Sequence, residues 1–180
     1  MPERSFQVYG LGQCCLDYIG LVEAYPPADA KCEVREMIVQ GGGPVATALV
    51  ALTRWGLSCA FAGVVADDHF GSVIKTSLDE EGIDTNGLIV RPGTNSQFSY
   101  IVADPQTGTR TVFWRRPTGA PPRPDEIDVD LIRRARVVHL DGLRMEASIA
   151  AATEARSAGA AVVVDAGSLR EGMLDLARYS

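Results

Sequence analysis

Residues 38–56 read IVQGGGPVATALVALTRWG, three glycines and a proline followed by apolar residues at helical spacing. Proline suits the first turn of a helix, where its missing N–H would have no partner. One face carries apolar side chains three or four positions apart: Val45, Ala48, Leu49, Leu52 and Trp55. Gly56 stands where helices commonly end. The stretch therefore predicts a glycine-rich turn that leads into a buried helix.

The three glycines before this helix could serve a ligand. Glycine lets the backbone approach a bound molecule closely, and the following helix points free N–H groups toward it. The phosphate-binding pattern G-x-x-x-x-G-K-[ST] is absent, because no Lys-Ser or Lys-Thr pair follows. Spacing alone leaves open both a ligand-binding loop and an ordinary glycine turn.

Strand and helix patterns alternate on either side of this stretch. Strand patterns cover residues 5–12, 58–65, 82–90, 136–142 and 160–167. Helix patterns cover residues 67–82, 126–135, 146–159 and 169–180. Such alternation is typical of βαβ units, so we expect an α/β fold with a mostly parallel sheet. The proline-rich residues 118–126 predict a surface loop, and Asp67 or Asp68 can cap the second helix.

Two β-type segments do not fit the alternation. They are residues 31–40 and a hairpin at residues 98–116, whose turn reads DPQTG. Both carry polar residues on one side. We expect them to form a small separate sheet that covers a site beside the α/β body.

Composition indicates an ordinary globular domain, and we treat residues 1–180 as one domain. The chain is 46% hydrophobic and 22% charged. Its net charge of -6 argues against holding nucleic acid or an anionic membrane by bulk electrostatics. No apolar run approaches the roughly 18 residues of a membrane span, and the N-terminus lacks a signal-peptide pattern.

The cysteines form no metal-binding pattern. None of Cys14, Cys15, Cys32 and Cys59 is part of a CxxC motif, and the only histidines are His69 and His139. We therefore expect no metal site. Free thiols fit a reducing compartment, so we expect a cytoplasmic protein.

Aspartates follow three strand patterns at their carboxyl ends, where open α/β sheets bind ligands. They are Asp17, Asp141 and Asp165. Carboxylates accept hydrogen bonds from hydroxyl groups, so three on one rim suggest a polar cleft. Arg115 and Arg116 end the hairpin, and either could contact an anionic substrate group or point into solvent.

Two other patterns suggest chemistry more weakly. Gly10 and Gly12 follow the first strand as in a dinucleotide fold, but Cys15 occupies the place of the third glycine. The DDHFG segment at residues 67–71 places carboxylates beside His69, although aspartates there also suit a helix cap.

Beyond single motifs, the chain resembles the ribokinase-like, or PfkB, family of carbohydrate kinases. The resemblance runs from GGPVATALVALTRWG through AFAGVVADDHFG to EEGID and the hairpin, and it covers essentially the whole chain. The first signature of the family is matched at Gly42, Gly43, Ala46, Thr47, Ala48, Arg54, Gly56, Gly63, Asp68, Phe70 and Gly71. The resemblance implies a three-layer α/β sandwich with a β-lid at about residues 24–40 and 97–116.

The resemblance also implies roles for individual residues. Asp17 matches the aspartate that binds sugar hydroxyls, and Gly42 and Gly43 match the di-glycine that approaches the sugar. Thr47 stands where the family usually has Asn, a departure that leaves the identity of the sugar open. Asp141 stands near a glutamate that contacts the sugar in some members. The lid is expected to close over substrate and to form a homodimer.

A second family signature, of D-T-x-G-A-G-D type, is absent from these residues. In the family its glycines form the anion hole and its last aspartate is the catalytic base. The resemblance therefore implies an ATP- and Mg²⁺-dependent sugar kinase of which this chain is a truncated, acceptor-binding half, inactive alone. A non-enzymatic sugar- or nucleoside-binding module is the main alternative. A nicotinamide-dependent oxidoreductase rests only on Gly10 and Gly12.

Overall fold

The computed structural model describes residues 5–167 and 169–180, and within them the chain forms two sheets with helices around the larger one. The strands are β1 (Phe6–Leu11), β2 (Cys15–Leu21), β3 (Glu36–Gly42), β4 (Cys59–Ala66), β5 (Asp84–Arg91), β6 (Phe98–Asp104), β7 (Thr109–Arg115), β8 (Ala135–Leu140) and β9 (Ala161–Val164). The helices are α1 (Pro44–Arg54), α2 (His69–Glu80), α3 (Val129–Arg133), α4 (Met145–Ser157) and α5 (Met173–Ala177), with a short 3-10 helix at Pro124–Glu126.

The larger sheet is parallel throughout and has the order β5-β4-β1-β8-β9. Helices cover both faces of this sheet. Adjacent residues of a strand point to opposite faces, so one strand contributes apolar side chains to both layers of helices. Val8 packs with Val45 and Leu49 of α1, whereas Tyr9 packs with Ile132 of α3 and Ala151 of α4. The predicted three-layer α/β fold is confirmed.

Helix α1 begins at Pro44 and buries Val45, Ala46 and Leu49. The prediction for Trp55 is wrong, since 78% of this residue is exposed. Trp55 is the C-cap and lies past the last full turn, so it leaves the buried face. Gly56 follows with a φ of 88°, the left-handed conformation that ends helices.

Asp68 caps helix α2 and ties it to the loop before β6. Its carboxylate accepts hydrogen bonds from the Gly71 N–H at 2.8 Å, the Ser96 N–H at 2.8 Å and the Ser96 hydroxyl at 2.7 Å. Burial raises the pKa of Asp68, but these hydrogen bonds outweigh it and hold that pKa below its ordinary value. Asp68 in DDHFG therefore has a capping role.

The smaller sheet has the order β3-β2-β6-β7, and we call it the lid. Strand β2 pairs antiparallel with β3 and parallel with β6. The sequence patterns did not predict β2, which is separated from β1 by only three residues and is similarly rich in apolar residues. The predicted strand at residues 31–40 is wrong for residues 31–35, because strand β3 begins at Glu36.

The proline-rich segment after the lid is fastened to the end of β5. Arg91 donates to both carboxylate oxygens of Glu126, at 2.7 and 2.5 Å, and to the carbonyls of Ala120 and Pro121. The Arg91 guanidinium is the main cause that lowers the pKa of Glu126 to about 2. This bidentate pair fixes the path of the chain from the lid back to the sheet.

Candidate functional site

The candidate site lies where the lid meets the carboxyl ends of β1 and β8. Asp141 follows β8 and is buried, with 4% of the residue exposed. Its carboxylate accepts from the Gln13 N–H at 2.7 Å and the Leu143 N–H at 2.9 Å. Burial raises the pKa of Asp141, although these bonds and the nearby Arg144 oppose that shift. Asp141 therefore fixes the chain leaving β1 against the end of β8.

The glycines before α1 pack directly against this segment. Gly43 has a φ of 106°, and a Cβ there would overlap the Gln13 carbonyl oxygen and lie 2.8 Å from its carbon. A Cβ on Gly42 would overlap Asp17 Oδ2 and lie 2.9 Å from Cys15 Sγ. Both positions thus require glycine, because neither has space for a Cβ atom. Gly43 also has a backbone conformation that favours glycine.

Asp17 lies within lid strand β2, not on the rim of the larger sheet. The prediction of three aspartates on one rim is therefore wrong for Asp17, because the chain enters β2 before reaching it. Register aligns Asp17 with Gln40 of β3, Ser99 of β6 and Trp114 of β7. Residues in register share a sheet face, so Asp17 and Trp114 face the same side of the lid.

Two buried thiols, of Cys14 and Cys15, lie beside Asp17 and the glycine turn. Cys15 Sγ lies 3.4 Å from Asp17 Oδ1 and donates to it. Burial raises the pKa of both Cys14 and Cys15, so both thiols are protonated at neutral pH. Their effect on the site is to pack beneath Asp17 and the glycine turn.

The remaining predicted residues lie farther from this centre. Thr47 is exposed one turn into α1, and with Gly42 it lines a cavity of about 220 Å³ between α1 and α2. Arg115 is in register with Phe98, one position away from the row that contains Asp17. Arg115 and Asp17 therefore face opposite sides of the lid.

A larger cavity, of about 610 Å³, opens between the lid and the strand ends, and we call it the arginine cleft. Three arginines line it together with Gln13, Pro44 and Trp114: Arg116, Arg144 and Arg170. Arg116 extends from the hairpin, and its guanidinium carbon lies 5.0 Å from the centre of the Trp114 ring. Trp114 thus connects the cleft to the face of the lid that carries Asp17.

Arg144 and Arg170 were missed by the sequence reasoning. A signal for both existed, since Arg144 follows Asp141 by three residues and Arg170 follows Asp165 by five, beyond strands β8 and β9. Loops at the carboxyl ends of parallel strands are the usual location of ligand contacts.

The G-x-G pattern has a packing explanation. A Cβ on Gly10 would lie 2.5 Å from Val45 Cγ1, and one on Gly12 would lie 2.6 Å from Val45 Cγ2. Both glycines therefore allow α1 to approach β1 closely.

Comparison with known proteins gives the family. The family model for pfkB family carbohydrate kinases matches residues 6–179. The chain belongs to this family. It is 28% identical over 180 residues to fructokinase-1 of Oryza sativa subsp. japonica, covering 96% of this chain and 54% of that protein.

Other relatives in the pfkB family differ in their substrates. An ATP-dependent ribose-1-phosphate kinase of Halopiger xanaduensis is 29% identical over 161 residues, covering 89% of this chain and 54% of the relative. A crystal structure described as a ribokinase from Agrobacterium tumefaciens superposes with a TM-score of 0.83 at 25% identity, covering 97% of this chain and 56% of that one. A fructokinase from Xylella fastidiosa with bound ATP has the same fold, at a TM-score of 0.72 and 22% identity over 88% of this chain and 51% of its own.

The pfkB chain spans about half the length of the curated relatives that it matches. None of the helices in the described part of the chain is both long and apolar enough to cross a membrane. Within residues 5–167 and 169–180, no group of three or more His, Cys, Asp or Glu side chains could hold a metal ion.

Proposed function

We propose that this chain provides the acceptor-binding part of an ATP-dependent sugar kinase. The observation that carries the proposal is the contact of Gly42 with Asp17 at the junction of lid and sheet. The Asp17 carboxylate lies on a face of the lid beside a cleft. The space next to it, over the Gly42 backbone, would be occupied by any side chain at position 42. A carboxylate that accepts from vicinal hydroxyls is a common means of binding sugars.

Each site residue has a role in this proposal. Asp17 accepts hydrogen bonds from acceptor hydroxyls, and Gly42 and Gly43 let the ligand approach the backbone. Asp141 positions Gln13 through its buried hydrogen bond. Thr47 offers a hydroxyl at the edge of the site, and Arg115 is a weaker candidate because it faces the other side of the lid.

Phosphoryl transfer also needs a base, an anion site and bound Mg²⁺–ATP placed in line with the acceptor. ATP supplies the transferred group in the family. We infer that the base and the ATP-binding residues lie outside these 180 residues, because the second family signature is absent from them. The chain alone then binds acceptor without turning it over.

Calorimetric titration of the chain with fructose, ribose and adenosine, together with a coupled ADP-release assay, tests this function. We expect binding of a sugar with no ADP release. ADP release by the 180-residue chain would overturn the inference that the catalytic base and the ATP-binding residues lie outside it. Failure of every ligand to bind would overturn the proposal that the chain binds the acceptor. A non-enzymatic binding module predicts the same titration, but it also requires that any longer form of the chain lack kinase activity.

The lid is also the proposed dimer contact. One of its faces exposes large apolar side chains from three strands, each about half accessible to solvent: Met37, Val39, Tyr100 and Phe113. Apolar surface of this kind is typical of protein contacts. We expect Phe113→Lys to weaken self-association at least about tenfold by analytical ultracentrifugation. Val90→Lys, at a similarly exposed strand position in β5, is the control, and an equal effect of both would contradict the lid contact.

The described cysteines are free, with Cys14, Cys15 and Cys59 buried and Cys32 exposed. Free thiols support our inference of a cytoplasmic location. Fractionation of cells that express the protein would test it.

A further inference from the structure

The arginine cleft contains positive charge without a partner. In the described part of the chain, the side chains of Arg116, Arg144 and Arg170 form no ion pair or hydrogen bond. Six other arginines in the described residues do pair with carboxylates: Arg35, Arg54, Arg91, Arg123, Arg133 and Arg178. The chain has a net charge of -6, so carboxylates are in excess. Arg110, Arg115 and Arg136 also lack such a partner in the described residues, but only Arg116, Arg144 and Arg170 lie together in one cleft.

The lining of the cleft includes no Asp or Glu among the described residues. Asp141 is near enough to Arg144 for the two charges to interact, but its two oxygens accept from Gln13 and Leu143. Asp165, at the start of the loop that carries Arg170, accepts from the Gly167 N–H at 2.9 Å. In the described residues neither aspartate forms an ion pair with an arginine of the cleft, so the guanidinium groups can still bind a ligand.

Three separate elements supply these arginines: the end of the lid hairpin, the loop after β8 and the loop after β9. The Trp114 ring supports Arg116, which reduces the entropy that this side chain would lose on binding. A cavity of about 610 Å³ is within the usual range for small-molecule sites. Convergent guanidinium groups in such a cavity match the oxygens of a phosphate or carboxylate.

We propose that the acceptor itself carries an anionic group, a phosphate or a carboxylate, which the arginine cleft binds. This inference rests on the proposed function, because it places the anion on the sugar that Asp17 and the glycine turn hold. The position of the cleft supports the acceptor over the nucleotide as the source of the anion. Two of its three arginines belong to the lid hairpin and to the loop of Asp141, the elements that surround the proposed acceptor.

Titration of the full 180-residue chain with matched pairs of sugars tests the proposal. The pairs are ribose with ribose 5-phosphate, fructose with fructose 6-phosphate, and glucose with gluconate. We expect at least one anionic member to bind about tenfold or more tightly than its neutral partner. Arg116→Gln, Arg144→Gln and Arg170→Gln should each weaken anionic binding about tenfold, because a hydrogen bond between charged groups contributes that much.

The control is Arg110→Gln, on the same hairpin but outside the cleft, which should leave binding unchanged. Equal affinity for neutral and anionic partners would overturn the inference and leave the proposed function standing. Tripolyphosphate binding as tightly as the sugar phosphates would instead assign the cleft to the nucleotide and overturn it. Absence of all sugar binding would overturn both proposals.

Discussion

Gly43→Ala is expected to cost about 3–5 kcal/mol of folding free energy, a large loss for a single methyl group. Gly43 has φ 106° and ψ 140°, a conformation that only glycine adopts without strain. The added carbon would also overlap the Gln13 carbonyl oxygen. A backbone atom cannot rotate aside as a side chain can, so the glycine turn or the 12–15 segment must move.

Gly56→Ala is the matched control. Gly56 also has a positive φ, of 88°, but no atom lies within 4 Å of the position that its Cβ would occupy. Only the cost of the left-handed conformation remains there, about 1–2 kcal/mol. Urea unfolding of both variants measures the difference. Equal losses at the two positions would show that the contact with Gln13 does not limit the site.

Asp17→Asn is expected to lower affinity for the proposed sugar acceptor about 10- to 150-fold, while the chain remains folded. A hydrogen bond to a charged acceptor contributes about 1.5–3 kcal/mol, and each 1.4 kcal/mol is a factor of ten. The amide keeps the shape of the side chain but loses the charge and one accepting oxygen. Folding should change little, since Asp17 is partly exposed and the Cys15 thiol is its only side-chain partner in the described residues.

Asp130→Asn, at an exposed position of α3 away from the lid, provides the matched control. Calorimetric titration with the sugar that binds best, and thermal melting of both variants, separate binding from folding. If Asp17→Asn binds as tightly as the unmodified chain, Asp17 has no part in acceptor recognition. A parallel loss in Asp130→Asn would point to a general effect of charge.

Elements with a strong local pattern could be predicted from the sequence. Helix α1, with its proline start and glycine end, and the hairpin of β6 and β7 are examples. Strand β2 could not be predicted, because only pairing with β3 and β6 distinguishes it from a continuation of β1. Pairing partners are non-local information that a run of apolar residues does not contain.

The glycines of the candidate site could be predicted from the sequence more readily than its charged residues. Gly42 and Gly43 have a local signature, and the structure gives the spatial reason for it. Whether Arg115 or Arg116 faces the cleft depends on the register of one hairpin, where a shift of one residue exchanges the faces. Arg144 and Arg170 converge only because β8 and β9 are neighbours in the larger sheet.

The hydrogen bond from Gln13 to Asp141 joins residues 128 positions apart, and this separation bears on the order in which the protein forms during synthesis. The lid strands and the glycine turn leave the ribosome before Asp141, which emerges on the order of 100 residues after Gly43. At typical elongation rates this is roughly 5–20 s. Until β8 docks, β1 has one open edge, and Gln13 lacks its hydrogen bond to Asp141. The candidate site is therefore among the last parts of these residues to close on a nascent chain.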